Sequence, residues 1–288
     1  MTQATSHYLR CEGREIHYMD WNASSARVGG RTVIAWHGLA RTGRDMDELA
    51  AHLCANGYRV ICPDTVGRGL SQWSPDPVQE YCLDFYARLA LSLADQLGLC
   101  QFDWVGTSMG GAIGMVCAAG PLRGRITRLV LNDIGTELAA AAEQRIRSYA
   151  GNPPAFDTVS ELEAYFRTIY KPYGWISDAQ WRRMTETSVR RLPDGRVTPH
   201  YDPAMAGQFI HHPDDYKLHD TYARIEVPVL LLRGESSDLL LPETVAAMRE
   251  TGPGRAGRLQ VIEVPGCGHA PALNVPDQLG AVLKFLRT

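Results

Sequence analysis

The residues best suited to chemistry in this chain centre on Gly106-Thr107-Ser108-Met109-Gly110-Gly111. An apolar run, Phe102 to Val105, precedes the segment, and a small-residue helical pattern, Gly111 to Ala119, follows it. The order is strand, sharp turn, helix, with a serine at the apex. Gly106 and Gly110 stand where a Cβ would clash with the neighbouring strand and helix. Such a turn strains the serine backbone and projects Oγ outward, while the helix N-terminus behind it stabilises negative charge. A serine hydroxyl is a poor nucleophile at neutral pH. It needs a base for its proton, a carboxylate to orient that base, and donors for a developing oxyanion.

Each part has a candidate. Of the nine histidines, His269 alone follows a late strand inside a glycine-rich loop, Val264-Pro265-Gly266-Cys267-Gly268-His269-Ala270-Pro271, and it is the expected base. Asp238, in Leu232-Arg233-Gly234-Glu235-Ser236-Ser237-Asp238 just past the end of the strand after the insertion, is the favoured acid, because open α/β sheets place functional groups there. Asp133, at the end of the preceding strand, and Glu235 are its rivals. The expected oxyanion donors are the backbone N–H groups of Met109 and Leu39, the latter in the loop His37-Gly38-Leu39-Ala40. His37 reads as a hydrogen-bonding group that fixes this loop. Arg41, Arg44 and Arg68 occupy loops at the same sheet edge, and Arg41 is a candidate for a substrate carboxylate. Tyr201, in the turn Tyr201-Asp202-Pro203, is a second candidate substrate contact.

The elements that must position these groups are readable from apolar spacing. His7 to Cys11 and Glu15 to Trp21 form a hairpin around Glu12-Gly13-Arg14, and Asn22 to Gly30 is a polar loop. Strands follow at Thr32 to Trp36 and Tyr58 to Cys62, separated by a helix over Asp45 to Asn56. Phe85, Leu89, Leu93 and Leu97 form the stripe of a helix closed by Gly98. Beyond the serine turn, Ile126 to Leu131 is a strand. The alternation stops there, then resumes with a strand at Val227 to Leu232, a helix near Pro242 to Glu250, a strand at Leu259 to Val264 and a helix from Val275 to Leu286. This pattern predicts a mostly parallel sheet with helices on both faces. Residues 136–222 interrupt it. They are rich in aromatics, among them Tyr149, Phe156, Tyr165, Tyr170, Tyr173 and Trp181, and read as a mainly helical insertion. The expected division is a core of 1–135 and 223–288 and an insertion of 136–222.

Composition narrows the function. With 288 residues, 45% hydrophobic and 21% charged, the chain has ample core for one large domain. A net charge of −3 without a basic stripe argues against nucleic acid, and no apolar run suits a stable membrane association. The N-terminal segment Met1 to His7 does not read as a secretion signal, and seven scattered cysteines suit a reducing, cytoplasmic setting. No metal or other cofactor is expected. His211 and His212 are adjacent and diverge, H-E-x-x-H is absent, and Gly106-x-Ser108-x-Gly110 is not a dinucleotide fingerprint. The sequence gives no indication of oligomeric state.

With these residues in view, the chain resembles the α/β-hydrolase superfamily over nearly its full length. The matching pieces are His37-Gly38, Pro63-Asp64 with Gly67-Arg68-Gly69-x-Ser71, Gly106 to Gly111, Gly234 to Asp238, and Gly268-His269. The resemblance implies an α/β-hydrolase fold, an eight-stranded, mostly parallel sheet flanked by helices with a helical cap after strand six. It implies Ser108, Asp238 and His269 as a triad, with Leu39 and Met109 as oxyanion donors. Dehalogenases and epoxide hydrolases of this fold carry aspartate where Ser108 stands. Carbon–carbon hydrolases typically have Asn before the serine and Trp after the histidine, where this chain has Thr107 and Ala270. Small esterases, enol-lactonases and hydroxyalkanoate-oligomer hydrolases share its motifs. The expected activity is hydrolysis of a small to medium carboxylic ester through an acyl-enzyme. The alternatives are C–C bond or lactone hydrolysis on the same residues, or a ligand-binding receptor with slow turnover.

Overall fold

A computed structural model describes residues 3–22 and 31–288; within the strands and helices, the side chains of Gln3 and Tyr149 are outside the description. The polar loop expected after Asn22 therefore lies, from residue 23 to 30, outside the described residues, as do Met1 and Thr2.

The described residues form ten strands and twelve α-helices. The first hairpin is β1 (Gln3–Cys11) and β2 (Arg14–Asn22), closed between Cys11 and Arg14. The next strands are β3 (Thr32–Trp36), β4 (Arg59–Pro63), β5 (Phe102–Thr107) and β6 (Ile126–Asn132). Between them lie α1 (Asp47–Ala55), α2 (Pro77–Glu80), α3 (Leu83–Gln96) and α4 (Met109–Ala119). After β6 come α5 (Ala140–Ala150), α6 (Val159–Ile169), α7 (Asp178–Glu186), the short strands β7 (Val189–Arg191) and β8 (Val197–Pro199), α8 (Gln208–His211) and α9 (His219–Ala223). The chain ends with β9 (Val229–Gly234), α10 (Pro242–Arg249), α11 (Gly252–Arg255), β10 (Leu259–Val264) and α12 (Pro276–Arg287).

Eight strands make one sheet in the order β1-β2-β4-β3-β5-β6-β9-β10. The hairpin joins antiparallel, and from β4 onward all neighbours run parallel. Alternate residues of the central strands feed two separate cores, as strand geometry requires. Val33, Val60, Val105, Val130 and Leu230 pack under α1 and α12. Ile34, Ile61, Trp104, Leu129 and Leu231 pack under α3, α4 and α10. The strands are thus buried on both faces, the usual state of a parallel sheet.

The stretch between β6 and β9 contains five helices and has a small core of its own, with Leu162, Phe166, Tyr170, Trp181 and Val197 buried together. Thr158 and Ser177 start α6 and α7 with reciprocal capping boxes through Glu161 and Gln180, which satisfy free N–H groups at both helix starts. The β7–β8 hairpin in this stretch was not indicated by the sequence. Its strands are three residues each, too short for a period-two pattern to register.

Candidate active site

Ser108 sits between β5 and α4 with φ 51° and ψ −118°, a left-handed conformation that costs a non-glycine residue about 1–3 kcal/mol. The surrounding packing imposes it. A Cβ on Gly106 would overlap the Gly110 carbonyl, and one on Gly110 would overlap the carbonyl of Trp36 on β3. The close approach of strand and helix forces the turn to present the serine side chain at the sheet edge.

His269, in the loop between β10 and α12, accepts the Ser108 hydroxyl at Nε2, 2.9 Å away. Its Nδ1 lies 2.7 Å from Oδ2 of Asp133. Asp133 directly follows β6, with φ 55°, and is fully buried. Its carboxylate also accepts from the Gly234 amide (2.8 Å) and the Ser237 hydroxyl (2.6 Å). A carboxylate with these donors is an acceptor towards the ring as well, so Nδ1 carries the proton and Nε2 is free to take one from serine.

The structure corrects the expected acid. Asp238 is half exposed and forms a two-point ion pair with Arg145 of α5 at 2.9 and 3.0 Å, while the carboxylate on His269 is that of Asp133. The loop after β9 does reach the site, but through Ser237 and the Gly234 amide, which donate to an acid housed on the neighbouring strand. Glu235 instead accepts from the Gly266 amide (2.9 Å), bracing the histidine loop.

Asn132 ties these parts together. Its Nδ2 donates to Thr107 Oγ1 (3.0 Å) and to the Pro271 carbonyl (2.8 Å), and its carbonyl accepts from the Ser108 amide (2.9 Å). The inserted stretch contributes as well, since the Gly268 amide donates to the Pro172 carbonyl (2.7 Å) and the Ala272 amide to that of Tyr173 (3.2 Å).

Opposite the serine, a Cβ built on Gly38 would come within 3.7 Å of Ser108 Cβ, so the loop after β3 lies against Ser108. His37 is fully buried and sets this loop. Its Nε2 accepts from the Thr65 amide (3.0 Å), so Nδ1 carries the hydrogen and donates to the Gly38 carbonyl (2.6 Å). Burial drives its pKa down to about 4. Because the Gly38 carbonyl is held, the Leu39 N–H on the same peptide plane points the opposite way. Arg68, also fully buried, donates to the Leu39 carbonyl (2.9 Å), the Val66 carbonyl (2.8 Å) and the Tyr86 hydroxyl (2.9 Å). Among the described residues, neither the Leu39 nor the Met109 amide donates a hydrogen bond to the protein.

A cavity of about 260 Å³ lies over Ser108. Gly38, Leu39, Arg41, Thr107, Ser108 and His269 line it from the sheet side; Arg145, Ile146, Tyr165, Ile169, Tyr170 and Tyr173 line it from the insertion. Arg41 is thus at the cavity, as the sequence suggested. Tyr201 is not among the residues of its wall. The ring is buried in the core that also takes in Met205 and Phe209, and its backbone bridges to Arg68. Asp202 caps the following turn through the Ala204 amide (2.9 Å) and accepts from the Tyr81 hydroxyl (2.5 Å). Tyr165, Tyr170 and Tyr173 are among the aromatics that the sequence placed in the insertion, whereas Arg145, Ile146, Ile169 and Ser237 were not singled out, because only the packing of the inserted helices and the turn after β9 brings them to the site. Among the described residues, no group of three or more His, Cys, Asp or Glu side chains is placed to hold a metal ion.

Comparison with known proteins bears on the fold and the family. Residues 31–274 match the family model described as alpha/beta hydrolase fold. The chain belongs to the α/β-hydrolase family. A 3-hydroxybutyrate-oligomer hydrolase of Cupriavidus necator is 38% identical over 94% of this α/β hydrolase and 93% of its own length. A non-heme chloroperoxidase of Streptomyces lividans is 30% identical over 82% of the chain and 83% of its own length, so the family name does not fix the reaction. Among solved structures, an alpha/beta hydrolase from Novosphingobium aromaticivorans superposes with a TM-score of 0.84 at 30% identity, covering 100% of this chain and 99% of that one.

Proposed function

We propose that this α/β hydrolase is a serine carboxylester hydrolase that cleaves short oligoesters of small hydroxy acids. The observation that carries this reading is the unbroken hydrogen-bonded chain Ser108–His269–Asp133 at the wall of the cavity. The similarity to a 3-hydroxybutyrate-oligomer hydrolase supports the substrate class. The small cavity suits short oligomers rather than polymer.

In this mechanism Ser108 Oγ attacks the ester carbon while its proton passes to His269 Nε2. Asp133 holds the Nδ1–H tautomer and supports the imidazolium that forms. The tetrahedral oxyanion rests on the Leu39 and Met109 amides, both without a partner among the described residues. His269 then returns the proton to the leaving alcohol. Water, deprotonated by His269, attacks the acyl-serine and releases the acid. Residues 136–222 act as a cap on a core of 1–135 and 223–288, gating the cavity with Tyr165, Tyr170 and Tyr173. Seven unpaired cysteines suit work in the cytoplasm.

The test is turnover of a 3-hydroxybutyrate dimer and of a simple butyrate ester, with lactones and dienoic acids as competing substrates. The Ser108→Ala variant is expected to lose at least about 10³-fold in kcat. Wild-type mass spectrometry under rapid quench is expected to show the acyl group on Ser108. Ester turnover unchanged in Ser108→Ala refutes the mechanism, and turnover of only lactones or dienoic acids refutes the substrate class.

A further inference from the structure

We propose that Arg41 binds a free carboxylate on the fragment being cleaved, which makes the preferred substrates acid-bearing esters cut next to their carboxylate end. The inference rests on the ester-hydrolase reading above and narrows its substrate.

Arg41 is 3% exposed and lines the cavity over Ser108. Most of its guanidinium is committed. Nε and Nη2 donate to Asp45 at 2.6 and 2.7 Å, and Nη2 also to Ser188 Oγ at 3.0 Å. The rings of Tyr170 and Phe166 hold its plane, with centroids 4.6 and 5.3 Å away. Nη1 is buried and has no hydrogen-bond partner among the described residues. An unpaired donor on a buried cation is costly, and natural sites keep one where a ligand completes it.

Two further observations give the ligand's charge and place. Among the described residues, the cavity wall carries two arginines and no carboxylate. The second, Arg145, is paired with Asp238 at Nε and Nη2 just as Arg41 is with Asp45, but Arg145 is half exposed and its remaining nitrogen meets solvent, whereas burial leaves Nη1 of Arg41 to be completed from the cavity. The Cβ position at Gly38 lies 3.7 Å from Ser108 Cβ and 3.9 Å from Arg41 Cγ, so nucleophile and arginine stem flank one glycine. A carboxylate read by Arg41 therefore belongs to the unit adjoining the scissile bond. In a hydroxy-acid dimer that unit is the leaving hydroxy acid. Hydrolysis adds one water and yields two free hydroxy acids, and a longer oligomer is shortened from its carboxylate end.

The experiment compares kcat/KM for 3-butyryloxybutyrate with that for its methyl ester, in wild type, Arg41→Met, Arg41→Lys and Arg145→Met. A charge-assisted hydrogen bond to a buried arginine predicts that wild type favours the acid by about 10- to 100-fold. That ratio is expected to fall to near one in Arg41→Met, to recover in part in Arg41→Lys, and to survive largely in Arg145→Met. A wild-type ratio near one with both esters cleaved overturns the Arg41 proposal and leaves the ester reading standing. So does an unchanged ratio in Arg41→Met, or its loss in Arg145→Met alone. Turnover of neither ester by wild type sinks the ester reading and this proposal with it. Inhibition of wild type needs no variant to fold, and butyrate is expected to compete about 10-fold or more better than butyramide. Equal inhibition by the two overturns the proposal.

Discussion

Replacing Asp133 with asparagine separates the acid that the structure places on His269 from the one the sequence favoured. In the wild-type site Oδ1 accepts the Gly234 amide, and Oδ2 accepts both Ser237 and His269 Nδ1. Asparagine keeps only one carbonyl oxygen. The Gly234 N–H cannot turn, so that oxygen stays on its side and the amide NH2 takes the Oδ2 position. Ser237 adapts by rotating its hydroxyl to accept. His269 adapts only by moving its hydrogen from Nδ1 to Nε2, and Nε2 then no longer accepts the proton of Ser108. A wrong tautomer of this kind costs about 10³- to 10⁴-fold in kcat, or roughly 4–5.5 kcal/mol of transition-state stabilisation. Asp238→Asn, by contrast, weakens an exposed ion pair with Arg145 worth about 0–1 kcal/mol, so its kcat is expected within about 5-fold of wild type. Steady-state ester hydrolysis, with Ser108→Ala setting the background and thermal melts checking the fold, decides the matter. A loss in Asp238→Asn as large as that in Asp133→Asn, or near-wild-type turnover in Asp133→Asn, refutes the assignment.

Three other outcomes follow from the geometry. His37 is neutral and buried in the folded protein with its pKa down to about 4, while the unfolded chain titrates near its ordinary value, about 6.5. The unfolded state thus binds the extra proton between these values. Stability is full above about pH 6.5 and falls by about 3 kcal/mol by pH 4, and urea unfolding of wild type against His37→Gln across that range is expected to show a shallower slope in the variant. Gly110→Ala sets a methyl group into the Trp36 carbonyl and is expected to lose more than about 3 kcal/mol or fail to accumulate in soluble form, read by denaturant midpoint and yield. Arg68→Lys cannot reach the Leu39 carbonyl, the Val66 carbonyl and the Tyr86 hydroxyl together; a stability loss of about 3 kcal/mol and a lower kcat, measured side by side, are expected as the Leu39 peptide loosens.

The sheet and the serine turn were legible because their signals are local. Apolar runs bounded by glycine, proline and aspartate mark β3 to β6, and Gly106 and Gly110 mark a close approach of strand and helix. His269 was legible for the same reason. The carboxylate that meets His269 was not, because both Asp133 and Asp238 follow strand ends, and local sequence does not distinguish them. What separates them is how the folded turns after β6 and β9 aim their side chains. β6 pairs directly with β5, which carries the serine, whereas β9 lies one strand further out. Within the loop after β9, the turn sends Ser237 inward and Asp238 outward, a one-residue difference that composition does not register. Tyr201 was misread because an aromatic beside a turn looks available, whereas its ring is packed into the core. The inserted residues that line the cavity depend on the docking of α5 and α6, which no periodicity specifies.

The backbone bonds from Gly268 to Pro172 and from Ala272 to Tyr173 tie residues on either side of His269, the base of the proposed mechanism, to the inserted stretch, its proposed lid. Lid exchange between relatives is therefore not a modular operation in this scaffold. A transplanted lid that lacks an equivalent of the 172–173 segment removes two anchors of the imidazole as well as changing the pocket. Chimeras built to alter selectivity should carry that short segment over from the host, or they will lose turnover for reasons unrelated to substrate fit.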